Sequence, residues 1–122
     1  MSRNGSAERV RQVWEEYTTA AGNSPVGDFI ERLSSTEAAR VLAAMEDVAA
    51  LGKSAAKHLR GEVYEVRADG KEGTYRVLFA SVGKRKQVLL SLVAFKKKTQ
   101  KTPPKLIRLS EKRLKDWRRR NS

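Results

Sequence analysis

The apolar residues change their period near the middle of the chain. Val26, Phe29, Ile30 and Leu33 recur at helical spacing, as do Ala38, Val41, Leu42, Met45, Val48 and Leu51. Ser24 as N-cap and Pro25 at the first helical position open the first of these runs, predicting a helix from Pro25 to about Leu33. Ser34-Ser35-Thr36-Glu37 interrupts it, a second helix is expected from about Thr36 to Leu51, and Gly52 is its natural stop. Two antiparallel helices joined by a short turn are the expected unit. Beyond Gly52 the period becomes two. Glu62–Ala68 alternates, with Val63, Glu65 and Arg67 on one face and Glu62, Tyr64 and Val66 on the other. Asp69-Gly70 with Gly73 marks a turn, Thr74–Ser81 reads as a second strand, Val82–Arg85 as a second turn and Lys86–Phe95 as a third strand. Three successive strands with short turns make an antiparallel meander. Thr102-Pro103-Pro104 breaks the chain, and Leu106, Leu109, Arg113, Leu114 and Trp117 predict a last helix ending in Arg118-Arg119-Arg120.

One stretch is ambiguous. Val10, Val13, Trp14 and Tyr17 have helical spacing, while their β-branched and aromatic character permits a strand. Local pattern slightly favours the helix. Residues 1–9 are polar and expected to be disordered.

Composition narrows the chemistry. A length of 122 residues suits a single domain, 1–122, and 39% hydrophobic content is too high for a disordered chain. With no cysteine, disulfides, Cys-based zinc sites and thiol nucleophiles are excluded. With His58 as the one histidine, so are a His-rich metal site and a paired-histidine nuclease. There is no Gly-rich phosphate loop, and no cofactor or metal is expected. No apolar run reaches the roughly 18 residues of a membrane span. The N-terminus lacks the apolar core of a signal peptide, so a cytoplasmic location is expected.

Charge changes the picture most. The net charge is +12, and it is unevenly spread: residues 1–52 carry 5 basic and 8 acidic side chains, residues 53–122 carry 21 basic and 6 acidic. A polyanionic partner accounts for such a split, because each phosphate contact releases counterions. Membrane-surface binding would call for an amphipathic helix with a bulky apolar face. The basic half is instead mostly strand-like, which favours nucleic acid.

Any catalysis then rests on Lys, Arg, Glu and Tyr. Arg67 and Arg76 lie on adjacent strands of the expected hairpin. Each is either a paired or solvated strand residue, or a planar, permanently charged fork aimed at a phosphate. Lys96-Lys97-Lys98 follows the last strand at once. Such a run commonly forms a solvated edge that discourages aggregation. Held beside two arginines, one of these lysines becomes a candidate general base. Lys57-His58-Leu59-Arg60 precedes the meander; a lone histidine is more often structural than catalytic, and Lys57 and Arg60 would extend a phosphate-binding surface. Trp117 with the following arginines reads first as a core-facing tryptophan before a solvated tail, and second as an aromatic-plus-basic RNA contact.

These segments, in their order and spacing, resemble the RelE/ParE superfamily of type II toxins, and within it the HigB-like, phage-derived branch. The resemblance runs through Pro25–Leu33, Lys57-His58-Leu59, Val63-Tyr64-Glu65-Val66-Arg67, Tyr75-Arg76-Val77-Leu78-Phe79 and Leu89 to Pro103, and covers about residues 10–120. Its most specific piece is Phe95–Pro103, FKKKTQKTP. Val66 stands where the branch usually has Leu. The resemblance implies an α+β, RelE-like fold: a small twisted antiparallel sheet packed by an N-terminal helix pair and a C-terminal helix. It also implies a strand over residues 10–19, against the local preference, which completes four strands.

By the same resemblance, the protein is expected to be a toxin that cleaves messenger RNA in the ribosomal A site, without a metal, by attack of a ribose 2′-hydroxyl on the adjacent phosphate. It is expected to be neutralised by a cognate antitoxin, often a helix-turn-helix protein. The roles carried over are catalytic for Arg67, Arg76 and Lys97, with Lys98 in support and Lys57 at the basic position before the meander; His58 is a further acid/base candidate whose role the family does not fix. The basic residues around them, Lys57, His58, Arg60, Lys96, Lys98 and Lys101, are expected to bind RNA. Glu65 would orient or screen Arg67, and Phe95 would support a base or the core. Two other functions remain open on the sequence: a ParE-like inhibitor of DNA gyrase, and an RNA- or ribosome-binding module without catalysis.

Overall fold

A computed structural model describes residues 11–121. The expectation of disorder for residues 1–9 lies outside the described residues. The chain forms β1 (Val13–Glu16), α1 (Pro25–Glu31), α2 (Ser35–Leu51), a short 3-10 helix (Gly52–Ala55), β2 (Lys57–Arg60), β3 (Val63–Gly70), β4 (Gly73–Val82), β5 (Val88–Lys97) and α3 (Pro104–Arg120).

Local chemistry accounts for the helix boundaries. Pro25 opens α1 at its first turn. A reciprocal capping box starts α2: the Glu37 amide donates to Ser34 Oγ at 3.2 Å, and the Ser34 amide donates to Glu37 Oε1 at 3.0 Å. Gly52, at φ 77°, ends that helix in a conformation glycine tolerates best.

The sheet order is β1-β5-β4-β3-β2. β1 runs parallel to β5, and all other pairs are antiparallel. The expected antiparallel sheet of four strands is therefore a mixed sheet of five. Two physical causes account for the difference. Residues 13–16 are a strand, as the resemblance implied, because Trp14 pins them: its indole N–H donates to the Met45 carbonyl at 2.8 Å, and its ring meets Phe79 edge-on at 5.1 Å. The helix pair then carries the chain across the sheet, which leaves β1 alongside β5 in the same direction. The fifth strand, Lys57–Arg60, carries almost no apolar alternation. It is held by backbone pairing to β3, with an irregularity between His58 and Arg60.

Both faces of the sheet are covered. On one, Val26, Val41, Met45 and Val48 of the helix pair pack on Val66, Tyr75, Val77 and Phe79. On the other, Leu114, with Leu106, Leu109 and Trp117, packs on Val63, Leu78, Ala80 and Leu90. Central strand β4 is consequently buried from Tyr75 to Val82. Each large apolar side chain buried this way contributes about 1.5–3 kcal/mol. Because α3 starts only at Pro104, its helix leaves one end of its sheet face uncovered, and residues 98–103 cross that end.

Candidate functional site

The hairpin register makes Arg67 and Arg76 direct cross-strand partners, and Arg76 in turn pairs with Phe95. One step along, Thr74 pairs with Lys97, and on the other side Lys57 pairs with Glu65. Strand alternation thus puts Lys57, Glu65, Arg67, Thr74, Arg76, Phe95 and Lys97 on one face, the face of α3.

Two guanidiniums side by side repel, and a buried carboxylate between them answers that repulsion. The Glu65 side chain is fully buried; it accepts from Arg67 Nε at 2.5 Å and lies 3.8 Å from Arg76 Nη1. Its other oxygen accepts from the Thr102 hydroxyl. The two arginines also grip the crossing segment. Arg67 donates to the side-chain oxygen of Gln100 at 2.7 Å and to its carbonyl at 2.8 Å. Arg76 donates to Thr74 Oγ1 at 2.9 Å, to the Gln100 carbonyl at 2.8 Å and to the Thr99 carbonyl. Its guanidinium lies 5.9 Å from the Phe95 ring centre.

Depth separates the two arginines. The Arg67 side chain keeps 25% of its exposure, whereas that of Arg76 keeps 1%. Burial pushes the Arg76 pKa down, the Arg67 charge pushes it further, and Glu65 opposes both. Arginine stays charged even so. Two arginines and Lys97 against one carboxylate leave this corner cationic. The Thr99 and Gln100 carbonyls occupy the guanidinium forks in the way phosphate oxygens do.

The remaining candidate residues divide by face. Lys97 is half-buried beside Thr74, while Lys98 and Lys101 are exposed on the crossing segment and Lys57 is exposed on β2. His58 and Lys96 point to the opposite face. The His58 ring lies 4.8 Å from that of Tyr64 and its Nε2 is 2.8 Å from the Gly61 carbonyl. Lys96 sits over Tyr75 at 5.2 Å. Arg60 is engaged elsewhere, donating to both oxygens of Glu111 at 2.6 and 3.2 Å. The structure thus groups Lys57, Arg67, Arg76 and Lys97, with Lys98 and Lys101 on the crossing segment, and it does not bring His58, Lys96 or Arg60 to them. Trp117 packs toward the core, with its indole N–H donating to Glu15 at 3.2 Å.

Sequence reasoning missed Gln100, Thr102 and Thr74. Their signal lay inside the FKKKTQKTP segment and in the strand alternation, but only the fold shows which donors they meet. Among the described residues, no group of His, Cys, Asp or Glu side chains is placed to hold a metal ion, and no helix is long and apolar enough to cross a membrane.

A five-stranded mixed sheet with three α-helices and a cationic strand pair defines a small α+β protein among the described residues. A sequence profile of the phage-derived Gp49-like protein family (DUF891) matches residues 28–115. The chain belongs to that family, which is RelE/toxin-like. No curated protein matches the chain.

Proposed function

We propose that this protein is the toxin of a type II toxin–antitoxin pair, acting in the cytoplasm as a ribosome-dependent messenger RNA endonuclease. One observation carries the reading: Arg67 and Arg76 face each other across β3 and β4, with Lys97 on the same face of the neighbouring strand. In the proposed reaction a ribose 2′-oxygen attacks the adjacent phosphorus and the bond to the 5′-oxygen breaks. The products are a 2′,3′-cyclic phosphate and a 5′-hydroxyl, the departing 5′-oxygen taking its proton from water. Lys97 takes the 2′-hydroxyl proton or clamps the phosphate, with Lys98 beside it. Arg67, the more exposed fork, exchanges its Gln100 acceptors for the phosphoryl oxygens and meets the charge that develops on them. Arg76 adds charge from beneath and holds the crossing segment. Lys57 and Lys101 contact the RNA backbone. The partners are messenger RNA in the ribosomal A site and an antitoxin, expected to be of the helix-turn-helix kind.

The test is induced expression with transcript ends mapped. Cuts in phase with codons and dependent on translation are expected, and Arg67→Ala or Lys97→Ala should slow them by about 100- to 1,000-fold. Unchanged cutting by these variants overturns the site; DNA damage without transcript cleavage moves the function to gyrase inhibition. The burial of Arg76 specifically favours a second reading, an RNA- or ribosome-binding module without catalysis. It is the better one if the protein halts translation while transcripts stay intact.

A further inference from the structure

A second basic recess lies at the other end of the sheet, on the face opposite Arg67 and Arg76. After β4 the chain reverses through residues 83–87, with Gly83 at φ 92° and Lys86 at φ 57°. The reversal is tied down: the Arg85 amide donates to the Gln87 side chain at 3.0 Å, Gln12 Nε2 donates to the Lys86 carbonyl at 2.6 Å, and the Val13 amide donates to the Gln87 carbonyl at 3.0 Å. The end of α2 and the 3-10 helix form the facing wall. Between them is a recess of about 900 Å³.

Its lining includes Lys53, Lys84, Arg85 and Lys86 and no carboxylate. Lys53 rests 4.8 Å over the Tyr64 ring, and Lys86 is 3.7 Å from Glu62. Lys84 and Arg85 form no ion pair among the described residues. Leu51, 54% exposed, supplies an apolar wall. At the recess stands Ser81, 4% exposed, whose buried hydroxyl has no hydrogen-bond partner. A buried hydroxyl without a partner is costly and uncommon, and a ligand acceptor would complete it.

We propose that this recess binds a phosphate-bearing ligand of nucleotide size. The cations select the phosphate. Leu51 and the lysine stems take an apolar or planar body, and the Ser81 hydroxyl, rotated from its buried position toward the recess, donates to an acceptor on the ligand. The volume falls within the roughly 300–1,000 Å³ of small-molecule sites. The nucleotide is either free or part of an RNA strand; the chemistry is common to both. The site is separate from the arginine face and stands whether or not that face cleaves RNA.

The test is calorimetric titration of the full chain with AMP, adenosine and a five-nucleotide RNA. AMP is expected to bind and adenosine not. The double variant Lys84→Ala/Arg85→Ala should weaken AMP by about tenfold or more, the loss of two charge-assisted contacts. Ser81→Ala should raise the Tm of the free protein, because it removes an unsatisfied hydroxyl, and should still weaken AMP. RNA bound more tightly than AMP, with the same dependence on Lys84 and Arg85, identifies a strand as the source; AMP bound as tightly as RNA identifies the free nucleotide. Adenosine binding as well as AMP, or wild-type AMP affinity in the double variant, overturns the proposal. So does loss of AMP binding in Arg67→Ala, since that places the phosphate on the other face.

Discussion

Glu65→Gln isolates the electrostatics of the candidate site. The substitution keeps the shape and one acceptor but removes the only carboxylate paired with either Arg67 or Arg76 among the described residues. Removing one partner of a fully buried ion pair costs about 3–5 kcal/mol. Two features lower that figure. The Arg67 side chain is 25% exposed and regains some solvation, and glutamine still accepts one hydrogen bond. A loss of about 2–3 kcal/mol follows, out of a total stability of about 5–15 kcal/mol. For a chain of this size that lowers Tm by roughly 8–12 °C.

Urea denaturation and thermal melts measure the loss, and the same melts repeated with added phosphate read its cause. With Glu65 neutralised, two adjacent guanidiniums lack a counter-ion, and phosphate should raise the variant's Tm more than the wild type's. A variant within about 0.5 kcal/mol of wild type, with an equal response to phosphate, refutes the idea that Glu65 balances the two arginines. Thr102→Val supplies the control. Its hydroxyl donates to Glu65, so the two substitutions should be non-additive.

Two further outcomes follow from local geometry. Glu37 is held at a pKa of about 2, below the ordinary 4.5, first by the Tyr75 hydroxyl and then by the Ser34 amide; Asp116 is held at about 2, below 3.8, first by the Tyr17 hydroxyl and then by Arg120. Both folded pKa values are depressed, so their stabilisation is complete above about pH 4.5 and is lost as pH falls toward 2. Melts between neutral pH and pH 2 should show a falling acid limb that flattens in Glu37→Gln/Asp116→Asn; an unchanged limb excludes these two groups as its cause. Gly73 has φ 147°, and a Cβ there would lie 2.8 Å from the Lys97 carbonyl oxygen. Gly73→Ala should therefore cost about 1–3 kcal/mol in denaturant melts, and a neutral result would mean that the end of β5 gives way freely.

The parts of the fold that were legible are those set by period and punctuation. The first helix begins at its Pro25 signal and the second within a residue of the expected Thr36, and the three long strands fall within about two residues of their expected bounds. The short strands were not legible in the same way. Lys57–Arg60 has one half-buried apolar residue, Leu59, so its strand character comes from β3 rather than from its own pattern. Val13–Glu16 is fixed by pairing with β5 and by the distant hydrogen bond and ring contact of Trp14, none of which a local window contains. The crossing segment is the extreme case. Lys98 to Thr102 has no period at all, and its position is fixed by donors more than twenty residues away on β3 and β4.

The face of each candidate side chain was legible, but its depth was not. Pairing Gly70 with Gly73 at the turn is enough to set Arg67 opposite Arg76. It says nothing about which of them reaches solvent, because depth depends on strand order, and strand order is a property of the whole sheet. β4 is the central strand, with β5 and β3 on either side and helices on both faces, so Arg76 sits under the crossing segment. β3 has only the four residues of β2 beyond it, and that strand ends level with Glu65, so Arg67 is left partly open. In the proposed reaction the same chemistry at two depths divides the labour: Arg67, near the short edge strand and partly exposed, exchanges Gln100 for the phosphate, and the buried Arg76 keeps its hold on the crossing segment.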